Sequence, residues 1–510
     1  MACLPNSLRA MTQSTSKRLL SQSTKCTRKG ITYSRLLFFN HSLPHSRPFC
    51  AAQPSLHQKI TFENQPLSWL FVSDSVAGAY GAQVNLELDL DRRLTEETYV
   101  NLMVNNVNLR EMDIDVYKLA EDFKQLKQKE KEKSDLIAEK QRVAEELQAL
   151  KNKESDPSTQ PLIQEAVQKL FQLKQAIVNT PPFWELEESV ILRALKLPND
   201  LHPDTPHGES TILKEKAGVY NDVHNKLSHV EIGKKFDLIK FSNVGPKAYY
   251  LKKDLAVAEM ELITTVVEYM QAQHFYFIAA PEFFKTPILE GCGLNIHDPS
   301  EVFTMIEAKE NIEPMIHLTG VSPASFIGYV AKTCIGDKSM PLNMFACGRT
   351  YQNCNLPGLY GAVQSNQVGL FSCVKEEDVN RQMVKLTNLI WTFLEGFGFP
   401  LRMCQANAKN LKVSESRRVD FEVYAPGIQQ YVTVASVADL GDYVSRRLMV
   451  THNLNHSDIR SSKIVHMLSG VALNITSLLA VWTEHSNSSQ ETFSLCPLPP
   501  GQKIKTEKDQ

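Results

Sequence analysis

Ten cysteines are the first candidates for chemistry in this 510-residue chain. A thiolate can ligate zinc or attack an electrophile, but a zinc site needs closely spaced ligand pairs. Cys3, Cys26 and Cys50 fall in the first fifty residues; the other seven form no Cys-x-x-Cys, and Cys347 and Cys354 have no His-x-x-x-His nearby. No metal site is expected, no nucleophile–base pair stands out, and buried thiols are the reading the spacing supports. A second candidate is the lysine cluster Lys124, Lys127, Lys129, Lys131 and Lys133, interleaved with Glu130 and Glu132. Lysines that neutralise phosphates underlie nucleic-acid binding. Residues 110–178 hold thirteen basic against fourteen acidic side chains, so no basic stripe is visible there. RNA contact and plain solvation both stay open for this stretch.

Charge along the chain is uneven. The first fifty residues carry eight basic side chains and no acid, and the first acid is Glu63. With many Ser and Thr and pairs such as Leu19–Leu20, this is the composition of a mitochondrial transit peptide, expected over 1–50 and directing the rest to the matrix. A basic tail that binds an acidic partner is the alternative. Beyond it remain 47 basic and 57 acidic groups. Such an acidic body argues against broad nonspecific nucleic-acid binding. No apolar run approaches the ~20 residues that span a bilayer, so no membrane role is expected. A disulfide framework is not expected in a reducing matrix.

The elements that must position any site follow from periodicity. Trp69–Val72 and Val84–Leu90 read as strands. Residues 113–155 contain no Gly or Pro and place apolar residues at Val116, Leu119, Phe123 and Leu126, then Ile137, Val143, Leu147 and Leu150. These three- and four-residue steps make one helical face. Asp156–Thr159 breaks the run, and a second pattern follows at Leu162, Val167, Leu170, Leu173 and Ile177, ended by Pro181 and Pro182. Together they predict an antiparallel helical hairpin over about 113–178, either an arm that reaches a partner or a hairpin packed on its own body. From about 229 the chain reads as α+β. A helix is expected over Leu255–Gln271 and strands over Phe275–Ala279, Met315–Thr319, Gly369–Val374, Val419–Tyr424 and Tyr431–Val437. A closing helix is expected over Gly470–Thr483. Strands in no regular alternation with helices suggest a largely antiparallel sheet. The polar, Pro-rich residues 485–510 read as a loose tail.

Several ordered motifs carry a resemblance. Leu197-Pro-Asn-x-x-His202-Pro-Asp-Thr-Pro206-His-Gly208 follows the hairpin, then come Ser228-His-Val-Glu-Ile-Gly233 and Tyr249-Tyr-Leu-Lys-Lys-Asp-Leu-Ala256. From about 85 to 484 the chain resembles the class II seryl-tRNA synthetases, and within them a degenerate mitochondrial branch of insects. The resemblance implies a class II synthetase fold, an antiparallel sheet with flanking helices, plus an N-terminal helical-hairpin arm. Its implied domains are an N-terminal region over 51–208 with the tRNA-binding-like arm, and a synthetase-like domain over 209–484. Pro281 stands where the family has the proline of its dimer-forming motif. The parent chemistry is activation of serine by ATP and transfer to tRNA.

That chemistry requires charges at given places, and here they are replaced. Thr319 keeps its place in the serine pocket, but Val321 stands for the glutamate that would pair the serine ammonium, which valine cannot do. Arg349 is kept and can still meet a phosphate, while Tyr351 replaces a glutamate. On the return strand Gly361 replaces an arginine, Val363 a histidine and Gly369 a glutamate. Thr433 stands for an ATP-facing glutamate. In the last motif Ser469 stands where the family has an asparagine, and Ser477 replaces the arginine that would stack on adenine. Asp442-Tyr443-x-x-Arg446-Arg447 is intact, which argues for an intact fold. The resemblance therefore implies an inactive paralogue with no cofactor and no catalytic residue, working in the mitochondrial matrix by binding. Expected partners are the mitochondrial seryl-tRNA synthetase in a heterodimer or a second copy in a homodimer, with tRNA contact through the arm open. The alternative is an active mitochondrial serine–tRNA ligase; a different enzyme using the emptied pocket is a third reading.

Overall fold

The structure is a computed structural model that describes residues 68–71, 87–151, 160–179, 183–218, 227–296, 298, 301–305, 315–352, 354–453, 462–488 and 493–495. The transit-peptide expectation, the Asp156–Thr159 break and the Pro181–Pro182 stop lie outside these residues.

Helices build the N-terminal part: α1 (Leu90–Thr95), α2 (Glu97–Leu109), α3 (Val116–Lys151), α4 (Gln160–Asn179) and α5 (Trp184–Ala194). The apolar steps seen in the sequence bury Val116, Leu119, Phe123 and Leu126 against Leu94, Met103, Val107 and Val190. Beyond Leu126 the shaft is solvated: Val143 is its one further buried residue. Helix α4 packs along α3, with Lys169 Nζ donating to Glu139 Oε1 at 2.6 Å. Helix α2 was not anticipated. Leu90 opens a helix where a strand was expected, and Glu87–Asp89 is irregular. Ser68–Phe71 is likewise no strand. One side chain takes the place of a ladder there: the Glu290 carboxylate accepts Trp69 N at 2.8 Å and Leu70 N at 3.1 Å, and burial raises this carboxyl to about 7.

The synthetase-like part follows. In chain order it runs β1 (Thr211–Lys216), α6 (His229–Lys235), β2 (Ile239–Ser242), β3 (Ala248–Leu251), α7 (Lys253–Ala272), β4 (Tyr276–Phe277), β5 (Phe283–Lys285) and α8 (Thr286–Gly291). Then come β6 (Phe303–Met305), β7 (Ile316–Leu318), α9 (Pro323–Val330), β8 (Cys334–Gly336), β9 (Leu342–Tyr351), β10 (Gln364–Val374) and α10 (Val379–Glu395). The rest is β11 (Leu401–Gln405), β12 (Arg417–Ala425), β13 (Gln430–Gly441), α11 (Tyr443–Leu448), β14 (Thr451–Asn453), β15 (Lys463–Ile464), β16 (His466–Asn474), α12 (Ile475–His485), β17 (Asn487–Ser488) and β18 (Phe493–Ser494). Eight strands form one sheet in the order β1-β11-β12-β13-β16-β10-β9-β4. All its pairings are antiparallel except β4 with β9. One face packs on α7, α10 and α12 through residues such as Leu262, Leu386, Leu479, Leu370 and Phe421. Alternate residues of the same strands, such as Phe371 and Cys373, pack the other face against Leu289, Phe326 and Leu448. Among the described residues no helix is long and apolar enough to cross a membrane, and no group of His, Cys, Asp or Glu could hold a metal ion.

The expected closing helix needs correction. Gly470–Asn474 belongs to β16, and the helix starts only at Ile475. Residues 470–474 pair with β10 and, at Gly470 and Val471, also with β13; so short a stretch of mostly small and apolar residues cannot be told from a helix by periodicity. Asn474 sets the boundary, its Oδ1 accepting Ser477 N at 3.0 Å. In the tail, β17 pairs with β18, and Phe493 lies 5.7 Å from the Phe236 ring.

A fully buried pair ties three segments together. The His229 Nδ1 lies 2.7 Å from Glu484 Oε1, both side chains being 0% exposed. His229 Nε2 accepts Leu359 N at 2.9 Å, which leaves the ring proton on Nδ1 to bond Glu484. The second oxygen of Glu484 accepts Gly427 N at 2.9 Å. Removing one member of such a pair leaves the other buried and unpaired, at a cost of about 3–5 kcal/mol. Glu484→Ala is therefore expected to lower unfolding free energy by about 3 kcal/mol or more, read from urea denaturation; an unchanged midpoint would show that water reaches this pair.

Candidate functional site

Backbone pairing along β9 assembles the pocket region. Val321 N donates to Arg349 O at 2.7 Å, and Tyr351 N donates to Thr319 O at 3.4 Å, so residues 319–321 extend the sheet edge beside β9. Thr319, buried, places its hydroxyl 3.1 Å from the Ser322 hydroxyl, which also caps α9. Val321 is 4% exposed and belongs to the core packed on α8, α9 and α11.

The space around Val321 is closed from all sides the sequence leaves small. A Cβ on Gly348 would lie 3.0 Å from Val321 Cγ2, and one on Gly369 would lie 2.9 Å from Val321 Cγ1 and 3.1 Å from Phe326 Cε2. Gly369 and Val321 thus fill one another's space. The Val321 carbonyl is held by the Gln367 side-chain amide. Gly361 ends a 3-10 turn over Gly358–Gly361. A Cβ there would fall 1.8 Å from the Leu356 carbonyl oxygen, so no side chain fits at this position without moving backbone.

Arg349 points elsewhere. It stands opposite Asn366 in the β9–β10 register, and Asn366 Nδ2 donates to Glu259 of α7 at 2.8 Å. Gly348 next to it faces Val321, so the guanidinium and the valine lie on opposite sides of the strand. Arg349 instead shares a polar patch with Tyr249, Tyr351 and Glu259. Tyr249 places its hydroxyl 3.3 Å from that of Thr476; burial pushes its phenol up, and Arg349 opposes this. Tyr351 donates to Glu282 Oε2 at 3.0 Å. Burial and that carboxylate raise the Tyr351 phenol, with Arg349 again opposing.

The remaining positions are spread along the sheet. Ser469 on β16 is buried with its hydroxyl donating to Leu370 O at 3.4 Å. Ser477 is buried in the first turn of α12. Thr433 on β13 is exposed, opposite Glu422 of β12. Pro281 is exposed just before β5. The segment 257–283, which includes Pro281, carries exposed apolar side chains on three elements: Val257 and Met260 of α7, Tyr276 and Phe277 of β4, and Phe283 of β5. Sequence reasoning missed Glu282, Phe326 and the Leu356 carbonyl as parts of the site. The last is a backbone atom and has no side-chain signal.

An antiparallel sheet carrying these strands, with a helix closing its last strand, defines the core of a class II tRNA synthetase. The profile of the tRNA synthetase class II core domain (G, H, P, S and T) matches residues 309–486. The chain is 30% identical over 312 residues to the serine–tRNA synthetase-like protein Slimp of Drosophila melanogaster, which covers 59% of this chain and 65% of that protein. It is 25% identical over 347 residues to the mitochondrial serine–tRNA ligase of Mus musculus, covering 64% of each. The matched part is thus just under two thirds of either relative's length. The fold is similar to that of the Pyrococcus horikoshii seryl-tRNA synthetase solved with ATP, at a TM-score of 0.65 and 17% identity over 79% of this chain and 94% of that one. Residues 309–486 thus match a class II tRNA synthetase core domain, and the chain is similar in sequence to seryl-tRNA synthetases and a seryl-tRNA synthetase-like protein.

Val321→Glu puts a carboxylate into a packed, apolar position with no cation to meet it, at a cost of about 2–5 kcal/mol. The variant is expected to melt several degrees below the wild type in a thermal scan and to gain no serine activation. A variant that melts no lower would mean that the position is open and wet.

Proposed function

We propose that this chain is a catalytically inactive seryl-tRNA synthetase paralogue that works in the mitochondrial matrix by binding. The observation that carries this reading is the filled pocket: Val321 packs against Gly348, Gly369 and Phe326, and Gly361 lies against the Leu356 carbonyl. Serine activation needs a carboxylate for the ammonium and cations for the triphosphate. Losing one preorganised charge at a reacting centre costs about 10²–10³ in rate, and here several positions are replaced together. Arg349, the cation that remains, faces Tyr249 and not the Val321 side of the sheet.

A binding role calls for a surface, and the exposed apolar side chains carried by the segment 257–283 support the dimer motif, marked by Pro281, as that surface. Aromatic and Met side chains are the types enriched at protein interfaces. The favoured partner is the mitochondrial seryl-tRNA synthetase, whose own interface would be of nearly the same shape; a homodimer is the second. The helical arm supplies a possible tRNA contact in either assembly. Its five clustered lysines lie exposed on α3, but Lys127 sits 3.5 Å from both Asp91 and Glu130, which leaves less charge for phosphates.

Two measurements test the reading. Calorimetry is expected to give very weak ATP binding, with no serine-dependent pyrophosphate exchange; a micromolar ATP affinity with exchange would replace this reading by an active ligase. Co-expression with the mitochondrial seryl-tRNA synthetase, both without presequences, is expected to give one heterodimeric peak in size exclusion with light scattering. Separate elution at every concentration, with serylation by the active enzyme unaffected when residues 113–178 are removed, would reject the heterodimer.

A further inference from the structure

Residues 68–71 come before the helical part in the chain, and one carboxyl of the synthetase-like part holds them. Trp69 N and Leu70 N donate to Glu290 Oε2 at 2.8 and 3.1 Å, and Ser68 Oγ donates to the same oxygen at 3.4 Å. The Ser68 hydroxyl oxygen also accepts Leu70 N at 3.1 Å and Phe71 N at 3.2 Å, a local turn that presents the N–H groups together. Leu70 supplies the second anchor. It is 2% exposed and belongs to the core that includes Leu289 and Cys292. Ser68–Phe71 is therefore a short strap, held by backbone donors on one acid and by one apolar side chain in the core.

No cation enters the balance at Glu290. Burial raises its carboxyl from an ordinary 4.5 to about 7, and only the Trp69 and Leu70 N–H groups and the Ser68 hydroxyl oppose this. The elements packed against α8 include β5, α9 and α11. Their charged or titratable side chains, Lys285, Tyr329, Tyr443, Arg446 and Arg447, contribute nothing to that shift, nor do the nearby Cys292 and Lys412. The hydrogen bonds are also one-sided. All three donors converge on Oε2, and among the described residues none donates to Oε1. A neutral carboxylic acid suits this pattern, because its carbonyl oxygen accepts while its other oxygen carries the proton.

We propose that Ser68–Phe71 is a proton-dependent strap: it docks on α8 with Glu290 as a neutral acid, the proton on Oε1 and the strap's donors on Oε2, and it is released when that proton is lost to solvent. Glu290 is only half-buried even with the strap in place, so a departing strap opens it to water and returns it to its ordinary range. A group whose value is higher in the docked state takes up a proton on docking. The strap accordingly holds tightest at low pH and weakens as pH rises through about 7. Between pH 6 and pH 8 these values lower the docking constant about tenfold. Release uncovers the position that Leu70 fills and unties the segment that precedes the helical part.

The test is hydrogen–deuterium exchange of the full chain at three pH values from 6 to 8, with protection corrected for the intrinsic pH dependence of amide exchange. Protection of the strap amides is expected to fall about tenfold over this range, while that of β9 and β10 stays constant. Glu290→Gln keeps a side-chain carbonyl that accepts from the strap but has no proton to lose. It is expected to hold the strap equally well at each pH. Strap protection in the wild type that is flat or rises from pH 6 to 8 would overturn the proposal, a result that needs no variant to fold. A tenfold fall that persists in Glu290→Gln would overturn it equally.

Discussion

A buried carboxylate can be tolerated only when its lone pairs meet donors, and the Glu484 carboxylate does so with groups from two other segments. It takes the His229 ring and backbone N–H from the start of α6 and the Gly427 N–H from the turn between β12 and β13. His229 then passes the constraint on, since its other ring nitrogen accepts from Leu359. The 3-10 turn that carries Gly361 is thus located by a chain of hydrogen bonds that begins on the last long helix. Gly358 lets that turn approach: a Cβ there would stand 2.2 Å from His229 Nε2, and its φ of +59° suits glycine.

What occupies the pocket is volume where the family's chemistry needs charge. Val321, Gly348, Gly369 and Phe326 complement one another sterically, and interiors of this density respond to single added groups. Charges that remain on the nearby sheet face are paired among themselves. Arg418 joins Glu415 and Asp420 at 2.9 and 2.8 Å, and Arg402 joins Glu422 across β11 and β12. A guanidinium already bonded to two carboxylates has little left for a triphosphate.

The helical part is firmly joined at its base and free along its shaft. Arg110, at the C-terminal cap of α2, donates to the Lys412 and Glu415 carbonyls at 2.8 and 2.6 Å, and Asn106 donates to the Asn199 carbonyl at 2.7 Å. These bonds reach the intact linker motif and the start of β12. Further out, α4 buries none of its residues, and Val167, Phe171 and Val178 face water. A rigid base with a solvated shaft presents the arm as a projecting element.

The sequence by itself carried the resemblance to the seryl-tRNA synthetases, the helical run that begins at Val116 and several strands, β12 and β13 among them, because motif spacing and residue identity are local properties. It placed Thr319, Val321, Arg349, Tyr351, Gly361 and Gly369 in one constellation. Only the tertiary structure decided which of them face one another. The pleat sends Arg349 toward Tyr249 and Val321 the other way, and a one-residue alternation of that kind depends on pairing with β10, not on the motif. It also decided that Gly470–Asn474 is strand: the stretch is too short to show a period, and its neighbours β10 and β13 lie about a hundred and about thirty residues earlier in the chain. Gly361 is the sharpest case. Its identity reads as a lost arginine in the sequence, but the reason no side chain fits there is the carbonyl of Leu356, an atom every residue carries and whose position only the folded chain sets.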